Sequence, residues 1–220
     1  MIRTTSDKRV KALTLVELLV VIAVLAVLGL FIFPKLTQRQ HRHHPSSPRI
    51  NCVNNLKQIG LSFRLWAGDN GDKYPMQVSV TNGGTMELVR SGIVFPNFQV
   101  MSNGLSTPKV LVCPSDTRTA AKDFSVGFSN TNVSYFVGLE ADESNPQMLL
   151  AGDRNITGGK KPVNGILTLT TNDVISWTRG MHNGVGNVAL ADGHVDQLTS
   201  SRLQEALKNS GVATNRLALP

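Results

Sequence analysis

From Leu13 to Phe33 the chain runs for 21 residues in which only Thr14 and Glu17 are neither apolar nor small. As a helix this stretch is about 31 Å long at ~1.5 Å per residue, which matches the hydrocarbon core of a bilayer. Glu17 is the exception within it. A carboxylate deep in a membrane costs at least about 2.5–3.5 kcal/mol on insertion scales, so it needs a partner or a position near the headgroups. Ahead of the run, residues 1–12 carry Arg3, Lys8, Arg9 and Lys11 against Asp7, a net +3 that leaves +4 of the total +7 for the remainder. An ordinary secretory signal has a shorter apolar core and a small-residue cleavage site after it. Pro34-Lys35-Leu36 offers no such site, and the length favours a single anchoring helix. Lys35, Arg39, Arg42 and Arg49 beyond the run leave charge alone a weak guide to orientation.

Lys11-Ala12-Leu13-Thr14-Leu15-Val16-Glu17-Leu18-Leu19 and the apolar residues that follow resemble the N-terminus of type IV pilins and type II secretion pseudopilins. The resemblance implies that a prepilin peptidase cuts between Ala12 and Leu13 and methylates the new amine of Leu13. It implies that Glu17 meets the N-terminal ammonium of a neighbouring subunit in a filament, where the ion pair sets register, because a charge stripped of its partner in low dielectric is costly. Pro34 falls where pilins commonly place a helix-bending proline. Ala12 departs from the glycine that the family usually carries there. The implied organisation is a leader (residues 1–12), a transmembrane and assembly helix (13–33), a juxtamembrane hinge (34–49) and an extracytoplasmic head (50–220).

Pro45 and Pro48 each remove a backbone donor and restrict the preceding residue, which predicts a break near His44 to Ser47. His41, His43 and His44 read as a polar collar rather than a metal site. Beyond them, Val53, Leu56, Ile59, Gly60, Phe63, Trp66 and Ala67 recur at helical spacing and predict an amphipathic helix ending near Gly68. Asp69-Asn70-Gly71-Asp72 lacks the spacing and closing glutamate of an EF-hand and reads as a turn. Short extended pieces are expected from Met76 to Met101, with a helical turn at Met86 to Arg90. Strands are expected at Val110 to Val112, Ser134 to Val137 and Met148 to Leu150, the last followed by a loop from Ala151 to Asn155.

Asn187 to Ala191 and His194 to Leu198 flank Asp192-Gly193, the pattern of a hairpin with a type I′ turn. Ser201 to Lys208 predicts a final helix, with Leu203 and Leu207 on one face, a Ser201/Gln204 capping box and Gly211 as its stop. The fold class that emerges is α+β and pilin-like: an N-terminal transmembrane helix, then an amphipathic helix packed on a small antiparallel sheet. No stretch interleaves dense basic residues with aromatics, which argues against nucleic-acid binding. Cys52 and Cys113 match no zinc spacing. They either pair in an oxidising compartment or remain two separate buried thiols.

His182, nine intervening residues and Asp192-Gly193 form an H-x9-DG pattern. With Asn51 to Leu61, Val112 to Asp116 and Gly186 to Gly193, it resembles a group of pilin-like proteins abundant in planctomycete and verrucomicrobial bacteria. His182 and Asp192 lack a Gly-x-Ser-x-Gly elbow or any other nucleophile context. His182, Asp192 and Gly193 therefore read as structural, and no catalytic residue is expected. Asp153, Asn155, Asp192 and Asp196 offer hard oxygen ligands for calcium, but their spacing identifies no site, so no cofactor is assigned. The resemblance implies a non-enzymatic subunit or accessory component of a type II secretion or type IV pilus-like system. Its partners would be the peptidase, other pilin-like subunits and the inner membrane, with the head in the periplasm or exported with a filament. The alternative is a membrane-tethered, extracytoplasmic ligand-binding protein that never polymerises.

Overall fold

The computed structural model describes residues 15–37 and 48–220, with the side chains of the first helix described as far as residue 28. The chain divides into two compact units, Met1–His44 and Pro45–Pro220. In the first, α1 runs from Leu15 to Thr37. Pro34 therefore lies within the helical span rather than beyond its end. Every described α1 side chain is exposed, Leu15 at 74% and Leu25 at 61%. Among the described residues no helix is long and apolar enough to cross a membrane. The predicted break near His44 to Ser47 lies outside the described residues.

The second unit opens with α2 (Pro48–Asp69), whose proline occupies the first helical position, where its missing N–H is not needed. Cys52, Leu56, Ile59, Gly60, Ser62, Phe63 and Ala67 are buried along one stripe, close to the expected face, while Val53 and Trp66 lie at its half-buried margin. The helix ends in the expected turn, where the N–H groups of Asn70 and Asp72 both donate to the Ala67 carbonyl.

The helical turn expected at Met86 to Arg90 is present, and the rest of the stretch expected to be extended is also helical in short pieces. It holds α3 (Met86–Arg90), α4 (Phe95–Val100) and α5 (Ser102–Leu105), with single 3-10 turns at Pro75–Gln77 and Val80–Asn82. Val110 to Val112 is likewise not a strand. Pro108 starts a 3-10 turn through Leu111, capped by the Thr107 hydroxyl, which accepts from the Lys109 N–H. Proline at a first helical position and a threonine cap outweigh the β preference of the valines.

Six strands form the main sheet: β1 (Tyr135–Gly138), β2 (Leu149–Asp153), β4 (Ile166–Thr170), β6 (Val185–Leu190), β7 (Val195–Thr199) and β8 (Thr214–Ala218). Their order is β4-β8-β1-β2-β6-β7, and every neighbouring pair is antiparallel. β3 (Ile156–Gly158) and β5 (Ile175–Trp177) make a separate two-stranded ribbon. β2 continues to Asp153 where the sequence suggested a loop. β4 and β8 are additions to the expected sheet, and the β3–β5 ribbon is an addition beside it.

Side chains alternate between two cores, as a pleated strand requires. Tyr135, Val137, Leu150 and Ala189 join the α2 side, whereas Phe136, Leu149, Val188 and Leu190 join the side of Trp177 and of α6 (Ser200–Asn209). Covered on both faces, β1 and β2 are buried at every position. Gly138 ends β1 where there is no room for a side chain: a Cβ there would lie 1.9 Å from the Leu149 carbonyl oxygen. Gly138→Ala is therefore expected to destabilise the head by about 1–3 kcal/mol, the usual range for overpacking, as read from urea denaturation.

The C-terminal hairpin is present, but its turn differs in type. A type I′ turn needs positive φ at both central residues, and Asp192 is not among the positive-φ residues whereas Gly193 is, at 85°. The Gly193 N–H donates to Leu190 and the Leu190 N–H donates to His194, giving a three-residue loop with Gly193 in the left-handed position. The final helix is capped by Thr199 rather than Ser201. Gln204 does not close a capping box: it accepts from the Ile175 N–H and donates to the Asp173 carbonyl, tying α6 to β5. Leu203 and Leu207 are fully buried, as their spacing implies.

Candidate functional site

Four chain segments deliver side chains to one buried point. The second turn of α2 presents Cys52, and the end of the Pro108–Leu111 turn presents Cys113. The two are joined in a disulfide that closes a sequence separation of 61 residues, with a Cα–Cα distance of 5.1 Å. β2 ends at Asp153, which has no exposed surface. The loop between β5 and β6 supplies His182, at 4% exposure. The His182 Nε2 lies 3.2 Å from the Cys113 Sγ and 3.4 Å from the Asp153 Oδ2. Arg49, in the first turn of α2, donates to the His182 carbonyl at 3.3 Å.

Burial governs the charge here. Desolvation pushes the Asp153 carboxyl up to about 7 against the pull of two hydrogen bonds from Asn187, with the Asp116 charge adding to the rise. It also lowers the His182 imidazole below its usual value, helped by the Arg49 charge. Both groups are driven towards their neutral forms, as expected where water cannot solvate either ion. Asp153 Oδ2 accepts from the Asn187 N–H at 2.7 Å and its side-chain amide at 2.8 Å. Its Oδ1 has no hydrogen-bond partner among the described residues.

The H-x9-DG residues are not one cluster. His182 pairs with Asp153, not with Asp192. The Asp192 carboxylate instead accepts from the His194 N–H at 2.8 Å within the hairpin loop, and its carbonyl accepts from Arg64 of α2 at 3.0 Å. Gly193 brings its backbone so close to α2 that a Cβ on Gly60 would lie 3.6 Å from its Cα. The motif thus fixes the hairpin at both ends, through His182 against the disulfide and through Asp192-Gly193 against α2. With the sulfurs joined and His182 enclosed, the point offers no nucleophile beside an accessible base.

The four calcium candidates are not brought together either. Asp153 is held by Asn187, Asn155 donates to the Thr178 and Val185 carbonyls, and Asp196 lies 3.2 Å from the His194 ring. Among the described residues, the group of histidine, cysteine and acidic side chains with ligand atoms within 4.8 Å of one another is Cys52, Cys113 and His182. Ala12 and Leu13 lie outside the described residues. Glu17 lies in the first turn of α1 on an exposed face.

The Asp153–His182 contact and the Asp116–Arg154 pair were not apparent in the sequence. Arg154 donates to both carboxylate oxygens of Asp116 at 2.7 and 2.8 Å. The only sequence signal for it is that Cys113-Pro114-Ser115-Asp116 forms a tight turn, which places Asp116 within reach of the residue after β2.

Residues 7–33 match the Prokaryotic N-terminal methylation motif. No curated protein and no solved structure matches the chain. The matched segment holds Ala12, Leu13 and Glu17, and supports a type IV pilin-like protein that a prepilin peptidase processes.

Proposed function

We propose that the chain is a non-enzymatic, pseudopilin-like subunit or accessory component of a type II secretion or type IV pilus-like system. The methylation motif at residues 7–33, with Glu17 five residues after the expected cut, carries this reading. Cleavage between Ala12 and Leu13 leaves Leu13 as the methylated N-terminus. The apolar segment then holds the chain in the inner membrane until other pilin-like subunits take it up. The exposed α1 side chains support this, because a continuous apolar surface of that extent is stable only against lipid or another helix. The disulfide supports an extracytoplasmic head, since such bonds persist in oxidising compartments.

In the assembled state Glu17 of one subunit faces the Leu13 ammonium of the next. Losing one partner of a buried ion pair costs about 3–5 kcal/mol, which corresponds to a fall of more than about 100-fold in association. The test uses cells that make the export machine and a Leu13→Cys/Val16→Cys pair that reports subunit contact by crosslinking, alongside intact mass of the membrane-extracted chain without these cysteines. The expected mature mass lacks residues 1–12 and carries one added methyl group. Glu17→Ala should leave that mass unaffected by any change beyond the substitution itself and abolish the intermolecular product. A chain that keeps Met1, or a crosslink that Glu17→Ala does not weaken, would overturn the proposal. A processed chain that never crosslinks would point to the tethered, non-polymerising binding protein.

A further inference from the structure

We propose that the dithiol form of the Cys52–Cys113 bond is a binding site for a zinc-like divalent cation, ligated by Cys52, Cys113, His182 and Asp153. Two thiolates, an imidazole and a carboxylate are a donor set suited to tetrahedral Zn2+. The three ligand atoms of Cys52, Cys113 and His182 already lie within 4.8 Å of one another and all three residues are buried, whereas Asp153 reaches the His182 Nε2 but lies outside that mutual group and must swing in to complete the site. The His182 Nε2 lies 3.2 Å from the sulfur and 3.4 Å from the carboxylate, the latter long for a strong hydrogen bond. Both distances are close to the ~3.3–3.7 Å edge of a tetrahedron with bonds of about 2.0–2.3 Å.

Asp153 supplies an independent sign. Asn187 occupies its Oδ2, the oxygen 3.4 Å from the His182 Nε2, twice, while its Oδ1 is buried without a partner among the described residues and is the oxygen left to ligate when the carboxyl turns. A buried carboxylate oxygen left unsatisfied is costly unless something else occupies its lone pairs. Asn187 then acts as the outer partner that orients a ligating carboxylate. Arg49, which donates to the His182 carbonyl, places a positive charge beside a site whose bound form carries one net negative charge.

The chemistry closes. A dithiol reductant passes two electrons and two protons to the disulfide, becoming a disulfide itself and leaving two thiols. The cation displaces both thiol protons, and the sulfurs bind it as thiolates. A disulfide oxidant reverses the sequence: it takes two electrons, the sulfurs rejoin and the cation is released. Bond and cation are mutually exclusive, so the head has one closed form for a reducing compartment and another for an oxidising one. Because the site is enclosed, the cation enters as the reduced chain folds. This inference does not depend on the pilin-like reading.

Cobalt titration of the full chain in detergent, reduced and held by a phosphine, tests it. The expected result is one equivalent of Co2+ bound with thiolate charge-transfer absorption and tetrahedral visible bands, both bleached by Zn2+, and no bands in the oxidised chain. Asn187→Ala, which removes the outer partner, should weaken the apparent affinity by roughly 10–100-fold, and Asp153→Asn and His182→Ala, which each remove a ligand, by more than that. His182→Cys, which restores a ligand, should recover the bands. If reduction unfolds the head, Zn2+ should restore its near-ultraviolet circular dichroism. The proposal is overturned if the reduced chain gives no thiolate–cobalt absorption, if Zn2+ fails to refold it, or if His182→Ala binds as tightly as the natural chain.

Discussion

Replacing both members of the Cys52–Cys113 bond by alanine is expected to lower the stability of the head by about 4 kcal/mol in metal-free buffer. The bond closes a separation of 61 residues. Loop closure of that length removes roughly 4.3 kcal/mol of chain entropy from the unfolded state at 25 °C. The loop holds most of α2, all of α3 to α5 and the Pro108–Leu111 turn, a region with no strand among its elements. Little else ties these short helices together locally, since α3, α4 and α5 have only 5, 6 and 4 residues, too few to be stable alone. At about 2–4 °C per kcal/mol for a domain of this size, the melting temperature should fall by about 8–16 °C. Calorimetry of the natural chain and of the Cys52→Ala/Cys113→Ala variant, both with chelator, measures it. A fall below about 3 °C would mean that the sheet and α2 hold the loop without the bond.

Which parts of this fold can be read from sequence follows from the range over which each signal acts. The α2 stripe is legible because one face of one helix meets one core, so its period of 3–4 residues survives in the sequence. Leu203 and Leu207 are legible for the same reason. β1 and β2 are seen only as short apolar runs, because both faces are covered and no polar alternation marks their ends. β8 is hidden by its composition: Thr214-Asn215-Arg216 reads as polar, yet Asn215 is buried because its amide donates to the Ser210 hydroxyl. Val110 to Val112 looks like a strand until Pro108 is given its capping role.

The site is less legible still, because it is a meeting of distant residues. H-x9-DG names two residues that never touch, and the true partner of His182 lies 29 positions earlier, at Asp153. The N-terminal motif is the opposite case. Cleavage and helix insertion act on contiguous residues, so the segment carrying Ala12, Leu13 and Glu17 can be recognised without any tertiary context.

Arg154→Ala is expected to cost more than Asp116→Asn, about 3–5 kcal/mol against about 1.5–3 kcal/mol. The asymmetry comes from exposure: the Asp116 side chain is 1% exposed and that of Arg154 is 32% exposed. Removing the arginine strands a buried carboxylate, whereas removing the charge of Asp116 leaves a guanidinium that can turn to water. Burial alone would raise the Asp116 carboxyl, but side-chain hydrogen bonds from Arg154 and Ser134, the Arg154 charge and the Thr117 N–H hold it below the usual carboxylate value of 3.8. Arg118 and Asp153 are the other charged groups that feel the pair. A carboxyl lowered in the folded state binds its proton less readily there than when unfolded. Its contribution is therefore complete above about pH 4 and is lost as the pH falls through the lowered value. In Arg154→Ala the largest lowering contribution is gone while burial remains, so that variant gains less stability than the natural chain as the pH rises. The gap between natural chain and variant should accordingly be smaller near pH 3 than at pH 7. Urea denaturation at both pH values decides it, and a gap equal at both would show that Arg154 acts through packing rather than through charge.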